Sequence, residues 1–273
     1  MVKEMIRYLS DRGVGKPDVA VICGTGLGDF VQQLDEVEVT LSYNQIPYFP
    51  VATVEFHFGR LVFGKMGKVQ VLAFEGRFHY YEGYSMDQVV LPVRLAKSLG
   101  AQVMLLSNAA GGLNPVLKRG TLMQVVDHIN LQPESPLRGP NNDAWGGRFP
   151  DMSAPYDADL NVLIRSIADE QGTPLAQGVY MSVAGPQLET RAEYRYLRLI
   201  GGDAVGMSTV PEVIACNHMS LPCAVVSVIT DECDPDHLEP VDVSEIVAVA
   251  KAAEPALTQL FRSTILKLGE TRF

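Results

Sequence analysis

Three short segments carry residue types that hold an anion, and each follows an apolar run. Cys23 leads into Gly24-Thr25-Gly26-Leu27-Gly28, where small residues let backbone N–H groups approach a phosphate and the Thr25 hydroxyl adds a donor. Taken singly, such a run is commonly a tight turn. It resembles half of a dinucleotide fingerprint, but its G-x-G-x-G spacing departs from G-x-G-x-x-G, and no acidic residue closes a second strand about twenty positions on. The second segment, Glu75-Gly76-Arg77-Phe78-His79-Tyr80-Tyr81-Glu82-Gly83-Tyr84, sets an Arg beside a His. That is a sensible grip for an oxyanion, because a guanidinium pairs with it through two parallel donors. A surface loop with solvated charges fits the same spacing. The third, Ser107-Asn108-Ala109-Ala110-Gly111-Gly112, is a turn unless a flat ligand lies against it. Farther on, Ala184-Gly185-Pro186-Gln187-Leu188-Glu189-Thr190 and Val205-Gly206-Met207-Ser208-Thr209-Val210-Pro211-Glu212 run into helical patterns. In the latter, Ser208 or Thr209 caps a helix with Pro211 in its first turn, either a plain N-cap or another N-terminus for an anion. Met207 fits a core position, or a thioether against a planar base.

These residues need a frame, and the apolar periodicity supplies one. Val/Ile/Leu-rich runs over 18–23, 60–63, 69–74, 102–107, 122–126, 178–183 and 224–230 predict buried strands, with a hairpin turn at 66–68. Helical patterns cover 86–99, 158–171, 188–200, 211–219 and 243–268, and 1–17 has the look of an amphipathic helix. Such alternation predicts an α/β fold, a mixed or parallel sheet covered by helices on both faces. Ligands are expected beyond the carboxyl ends of its strands. With no linker, repeat or low-complexity tract, 1–273 is expected to be one domain. The stretch 132–155, rich in Pro, Asn, Gly and Arg, is the one long loop, and such loops in compact domains are often functional.

The 273 residues are 47% hydrophobic and 20% charged, the balance of a soluble protein with a sizeable core. A net charge of −10 argues against nucleic acid as a partner, though not against a small anion in a local Arg pocket. The four cysteines make no Cys-x-x-Cys pair and no zinc-ligand spacing, so packed, reduced thiols are expected. The first 18 residues carry charges of both signs without the apolar core of a signal peptide. No apolar run approaches the length of a membrane span. These features predict a cytoplasmic protein without a membrane partner.

Together and in this order, GRFHYYEGY (76–84), SNAAGGLNP (107–115), GPQLETRAE (185–193) and VGMSTVPEV (205–213) resemble the purine nucleoside phosphorylases of the trimeric class. The similarity runs from Asp18 to the last helix. It implies a single α/β domain around a mixed, partly barrel-like sheet flanked by helices, and a homotrimer with sites near subunit contacts. It also implies phosphorolysis of purine ribo- and deoxyribonucleosides, mainly inosine and guanosine, with phosphate as co-substrate and no metal or organic cofactor. Position by position, the resemblance implies a phosphate site of Thr25, His57, Arg77, His79, the Ala109 backbone and Ser208. Without it, His57, in VEFHFGRLVFG (54–64), is a lone loop histidine. Tyr81, Met207 and Val243 would border the ribose, with Phe149 reaching in from a neighbouring subunit. Ala110, Gly111, Leu188, Val205 and Gly206 would line the base, and Leu188 stands where the family often has an aromatic. Glu189 would accept from N1–H of a 6-oxopurine and from the 2-amino group of guanine. Asp231, Glu189 and His79 are the residues expected to carry catalysis. Phosphate attacks C1′ through an oxocarbenium-like transition state while negative charge grows on the purine, which must be protonated or hydrogen-bonded.

Two positions depart from the family pattern. Where members handling hypoxanthine and guanine have an Asn that donates to N7, this chain has Asp231, and an ionised carboxylate only accepts. Asp231 could hold a proton in an apolar pocket and give it to N7, or accept from a 6-amino group, as in the related methylthioadenosine phosphorylases. Val243 stands where a His often meets the 5′-hydroxyl, and it is compatible with a methylthio group. Glu189 favours the 6-oxopurines, which carry N1–H; adenosine and methylthioadenosine are the alternative. Two other classes compete. A nicotinamide-dependent enzyme rests on 24–28 alone, and a non-catalytic nucleoside-binding protein would leave Thr25, Arg77, His79 and Ser208 idle.

Overall fold

A computed structural model of the chain describes every residue except Gly26, Ala52, residues 54–57, Glu239 and Val241. The strands are β1 (Val19–Cys23), β2 (Glu36–Ser42), β3 (Arg60–Met66), β4 (Val69–Glu75), β5 (Val103–Gly112), β6 (Leu122–Asn130), β7 (Leu175–Ser182), β8 (Ala204–Gly206) and β9 (Cys223–Glu232). The helices are α1 (Val2–Ser10), α2 (Met86–Val89), α3 (Leu91–Leu99), α4 (Ala158–Gln171), α5 (Arg191–Leu199), α6 (Val210–His218) and α7 (Val243–Thr271). Strand β1 is buried throughout because both of its faces are covered, as its unbroken apolar run requires. Ala20 and Ile22 pack with residues of α1, α3 and α6, while Val19, Val21 and Cys23 pack with residues of α4 and α7.

Among the described residues the strands form one nine-stranded sheet in the order β2-β3-β4-β1-β5-β8-β7-β6-β9. Strand β9 then returns to pair in parallel with β5, from Met104↔Cys223 to Gly112↔Glu232. That pairing closes β5, β8, β7, β6 and β9 into a mixed barrel, and β1 to β4 extend the sheet beside it. The α/β class and the partly barrel-like sheet match the expectation. All four cysteines are buried thiols, and among the described residues no helix is long and apolar enough to cross a membrane.

Several boundaries differ from the sequence reading, each for a physical reason. The run 107–112 is not a turn. Its small residues let β5 continue to Gly112, pairing with β8 on one side and β9 on the other. Strand β2 was not foreseen; its residues are largely exposed at the sheet edge, so its alternation lacks a strong apolar run. Strand β8, three residues long, is too short to show a period. The pattern over 86–99 divides into α2 and α3, with Pro92 at the start of the second helix. The pattern over 188–200 begins late. Thr190 caps α5 by accepting from Glu193 N–H at 3.3 Å while the Glu193 carboxylate accepts from Thr190 N–H at 2.7 Å. Leu188 and Glu189 therefore stay in the loop ahead of the helix.

Candidate active site

A cavity of about 340 Å³ opens at the carboxyl ends of β1, β4, β5 and β9, closed by the loops before α5, α6 and α7. At one end lie Thr25, Arg77, His79 and Ser208; at the other, Glu189 and Asp231. Ala109, Ala110 and Gly111 of β5 lie between them, and Val205, Gly206 and Met207 also line the cavity, Val205 pairing with Gly111 from the adjoining strand β8. Tyr81, Leu188 and Val243 also line it, the last two 44% and 57% exposed. These sequence-derived positions thus come together from distant parts of the chain. His57 lies outside the described residues. Phe149 is 91% exposed on the long loop and does not line this chain's cavity.

The cationic end is tightly framed. Arg77 is buried beside an equally buried Glu212, with Nε donating to the Glu212 carboxylate at 2.9 Å and Nη1 donating to the Ser107 carbonyl at 2.6 Å. The guanidinium is therefore a charge of fixed position rather than a mobile fork. Gly24 is required beside it, because a Cβ there would lie 2.7 Å from Nη1 and collide with the Ser107 carbonyl. The imidazole of His79 meets the Glu82 carboxylate through Nδ1 at 2.8 Å and stacks on Tyr81 at 4.7 Å. Burial holds the His79 pKa below the ordinary histidine value, outweighing the Glu82 hydrogen bond, and Arg77 adds to the lowering. Burial pushes Glu82 up, but hydrogen bonds from His79 and Thr53 overcome it and hold the carboxyl down at about 2. Burial raises the Tyr81 phenol to about 12.

Ser208 sits where the chain enters α6, and its carbonyl accepts from Val210 N–H at 2.8 Å. Between them Thr209 takes φ 71° and ψ −47°, the rare γ-turn with positive φ. A β-branched residue there is strained by about 1–3 kcal/mol. The surroundings hold it: Asn108 Nδ2 donates to Thr209 Oγ1 at 2.9 Å, and the Ser208 and Thr209 hydroxyls lie 3.0 Å apart. The strained turn aims Ser208 at the cavity from the N-terminus of a nine-residue helix.

The other end is acidic. Thr230 Oγ1 donates to Asp231 Oδ1 at 2.8 Å, and Cys233 Sγ lies 3.3 Å from Asp231 Oδ2. Burial raises the Glu189 pKa against hydrogen bonds from its own backbone and from Tyr194, and the charges of Glu193 and Asp231 raise it further. Gly111 leaves room for this arrangement, because a Cβ there would strike Cys233 Sγ.

The sequence model of the phosphorylase superfamily matches residues 18–266. The chain belongs to this superfamily. Within it, the chain is 44% identical over 249 residues to "Purine nucleoside phosphorylase 1" of Bacillus subtilis (strain 168), spanning 91% of this chain and 92% of that protein. It is 45% identical over 249 residues to the purine nucleoside phosphorylase of Mus musculus, spanning 89% of this chain and 86% of that one. Its fold superposes on a Schistosoma purine nucleoside phosphorylase in complex with hypoxanthine with a TM-score of 0.92 at 37% identity, covering 98% of this chain and 96% of that one.

Beside the expected positions, the superfamily cavity of this chain is also lined by Asn108, Tyr194, Thr230, Cys233 and Ile246. Sequence reasoning passed over these, as it did Glu82 and Glu212. A signal existed for Cys233, two residues beyond Asp231 at a strand end and so able to share its side. Tyr194 shares the buried face of α5 with Leu197 and reads simply as core.

Proposed function

We infer that the protein is a purine nucleoside phosphorylase, converting a purine nucleoside and phosphate into free base and pentose 1-phosphate. The observation that carries the reading is one cavity with a cationic end and an acidic end across a small-residue stretch of β5, in a chain with the relatives named above. A phosphate and a nucleoside have complementary demands, and the two ends are the distance of one β5 segment apart. We assign phosphate to Thr25, Arg77, His79, Ser208 and the Ala109 backbone, with His57 joining them. We assign the ribose to Tyr81, Met207 and Val243, and the base to Ala110, Gly111, Leu188, Val205, Gly206, Glu189 and Asp231. A phosphate oxygen forms the bond to C1′ as the C1′–N9 bond breaks and its electron pair passes to the purine. Asp231 stands where a catalytic group must meet N7 as negative charge grows on the purine, while Glu189 accepts from N1–H. The fixed Arg77 charge aligns the nucleophile without reorganising during the reaction. No step is assigned to a metal or an organic cofactor.

The main substrates in this reading are inosine and guanosine, because Glu189 needs an N1–H donor. Adenosine and methylthioadenosine form a second reading, favoured by Asp231 as an acceptor for a 6-amino group and by apolar Val243 and Ile246 along the lining. Base release from these four nucleosides, each with and without phosphate, separates the readings. Phosphate-dependent cleavage of inosine and guanosine is expected. Preference for adenosine or methylthioadenosine would select the second reading, and no cleavage of any would leave a binding protein. We also propose a homotrimer in which Phe149, 91% exposed on the long loop, enters a neighbour's site. Light scattering tests the assembly. The buried thiols suit a reducing cytoplasm.

A further inference from the structure

We propose that Arg94, His218 and Asn141 are positioning residues that seat the long loop 132–155 through a chain of hydrogen bonds, one that holds only while the His218 imidazole is uncharged. None of the three lines the candidate active site. Where it concerns activity, the inference rests on the phosphorylase reading with Phe149 of one chain at the site of another; the seat itself does not. Three parts of the fold meet here. Arg94 comes from the middle of α3, His218 from the last turn of α6 and Asn141 from the loop. Arg94 and His218 are 3% and 4% exposed. Arg94 Nη1 lies 3.0 Å from His218 Nδ1, and His218 Nε2 lies 3.1 Å from Asn141 Oδ1. Asn141 Nδ2 then donates to the Gly146 carbonyl at 2.9 Å and to Asp143 Oδ1 at 2.7 Å.

The direction of each proton in this chain is fixed from both ends. A guanidinium has donors only, so His218 Nδ1 must accept from Arg94. The Asn141 amide nitrogen faces a carbonyl and a carboxylate, both acceptors. Its oxygen is therefore the atom turned to His218, and Nε2 must donate to it. Both requirements select the same neutral tautomer. A second proton, on Nδ1, would set two cationic donors 3.0 Å apart. The C-terminus of α6 by itself favours a charged imidazole. Burial nevertheless lowers the His218 pKa, with Arg94 and Arg148 adding to the effect and the backbone of Gly146 and Gly147 opposing it. Of the other charges about the seat, Asp87 of α2 acts on Arg94, and Lys97 of α3 donates to the Ser220 carbonyl at 3.3 Å. Glu212 of α6 is taken up by Arg77, and burial keeps the Cys216 thiol protonated. Asp151 and Asp157 line a separate cavity together with His218, where Asp151 accepts from Ser153 and Asp157 caps α4.

The seat reaches Phe149 along a short stretch of chain. Trp145 packs on Arg94, its ring centroid 4.4 Å from the guanidinium carbon, a contact that favours a buried cation. Gly146 lies so close to α6 that a Cβ there would collide with the His218 carbonyl. Asn217 Nδ2 donates to the Pro155 carbonyl at 2.8 Å and holds the far end of the loop. Between these points Arg148 Nη1 donates to the Leu137 and Gly139 carbonyls, at 2.8 Å each, and Phe149 is the next residue. With 91% of its surface exposed, Phe149 takes its place from the residues on either side. When His218 gains a proton the first link opens, and with it the hold of α3 and α6 on the loop.

The chain has one tryptophan, Trp145, so intrinsic fluorescence reads the seat without any substrate. Emission of the intact protein is expected to shift to the red between about pH 8 and about pH 5, in one step centred below the ordinary histidine pKa. His218→Gln should abolish the step. Asn141→Asp, which sets a carboxylate against Nε2, should move it to higher pH. In Asn141→Ala, a change confined to the loop, emission at about pH 8 should already match that of the intact protein in acid. The same variant should raise inosine KM about fivefold, the scale of one neutral hydrogen bond, while phosphate KM stays within about twofold. A flat emission profile in the intact protein overturns the proposal, as does a step that survives His218→Gln or stays in place in Asn141→Asp. So does an Asn141→Ala protein whose emission and inosine KM equal those of the intact one. Should His218→Gln fail to fold, the two loop variants decide. Because emission is read without turnover, absence of inosine cleavage by the intact protein would count against the phosphorylase reading and not against the seat.

Discussion

The two ends of the cavity hold charge in opposite ways. At the cationic end, Arg77 meets the oppositely charged, buried Glu212, and the His79 imidazole, its pKa lowered by burial, hydrogen-bonds the Glu82 carboxylate. At the acidic end two carboxylates are near enough for the Asp231 charge to raise the Glu189 pKa, and the donors that reach them are neutral: Tyr194, Thr230, Cys233 and a backbone N–H. The difference follows the ligands assigned to each end. Phosphate has one shape and a constant negative sign, so a prebuilt ionic frame serves it without adjustment. Purine edges differ by the place of one or two protons, and neutral donors that rotate can follow such a difference where a fixed ion cannot.

The comparison breaks most severely if the ionic frame is opened. Glu212→Ala leaves Arg77 as a buried charge without its carboxylate, and removing one partner of a buried pair costs about 3–5 kcal/mol. Urea unfolding should show a loss of that size. A loss under about 1 kcal/mol would mean that the pair is not what fixes the guanidinium. The next effect is smaller and belongs to the other end. Glu189→Gln replaces the carboxylate that accepts from N1–H with a neutral amide, and inosine kcat/KM should fall about ten- to a hundredfold. Because burial raises the Glu189 pKa, acidification protonates it at a higher pH than an ordinary Glu. In the intact protein inosine turnover should therefore decline on the acid side with a component that Glu189→Gln lacks. Phosphate and His79 titrate in both proteins, so the difference between the two profiles reports Glu189. Superimposable profiles would place its titration elsewhere.

The same contrast explains what could be read from sequence. At the cationic end Arg77, His79 and Ser208 could be singled out as candidates because they stand near the ends of recognisable apolar runs, but the spacing fitted a solvated loop or a plain N-cap as well, and one phosphate site was read from resemblance. Their partners were not legible. Glu212 reads as a helix-start acid complementing the macrodipole, and its place beside Arg77 comes from a contact across 135 positions. At the base end Glu189 and Asp231 were found by resemblance. Tyr194 was hidden because an aromatic on the buried face of a helix looks the same whether it faces core or ligand. The closure of β5 on β9 was hidden too, since 107–112 is written in residues that also write turns.

A third change tests whether strain at the cationic end has a purpose. Thr209→Gly removes the cost of a β-branched residue at φ 71° but also the hydroxyl that Asn108 and Ser208 share. Stability should change by less than about 1 kcal/mol, because relief of strain offsets the lost hydrogen bonds. The KM for phosphate should rise several-fold, about the value of one loosened hydrogen bond, while hypoxanthine affinity stays constant. Equal losses at both ends would show that α6 positions the whole cavity rather than Ser208 alone.

The smallest expected effect lies farthest from the ligands. Glu254, nearly buried on α7, accepts from Asp29 N–H at 2.6 Å and so ties the turn after Gly28 to the helix whose first turn brings Val243 and Ile246 to the cavity. Glu254→Ala should loosen the Thr25 loop and raise the KM for phosphate about two- to fivefold, the scale of one hydrogen bond of about 1 kcal/mol. Inosine KM should stay within about twofold if the loop alone is released, since hydrogen bonds at well-separated sites act additively. A rise in inosine KM matching that of phosphate would instead show that α7 moves as a unit. The two ends would then be mechanically joined through one helix, and the contrast between them would hold for their chemistry but not for their motion.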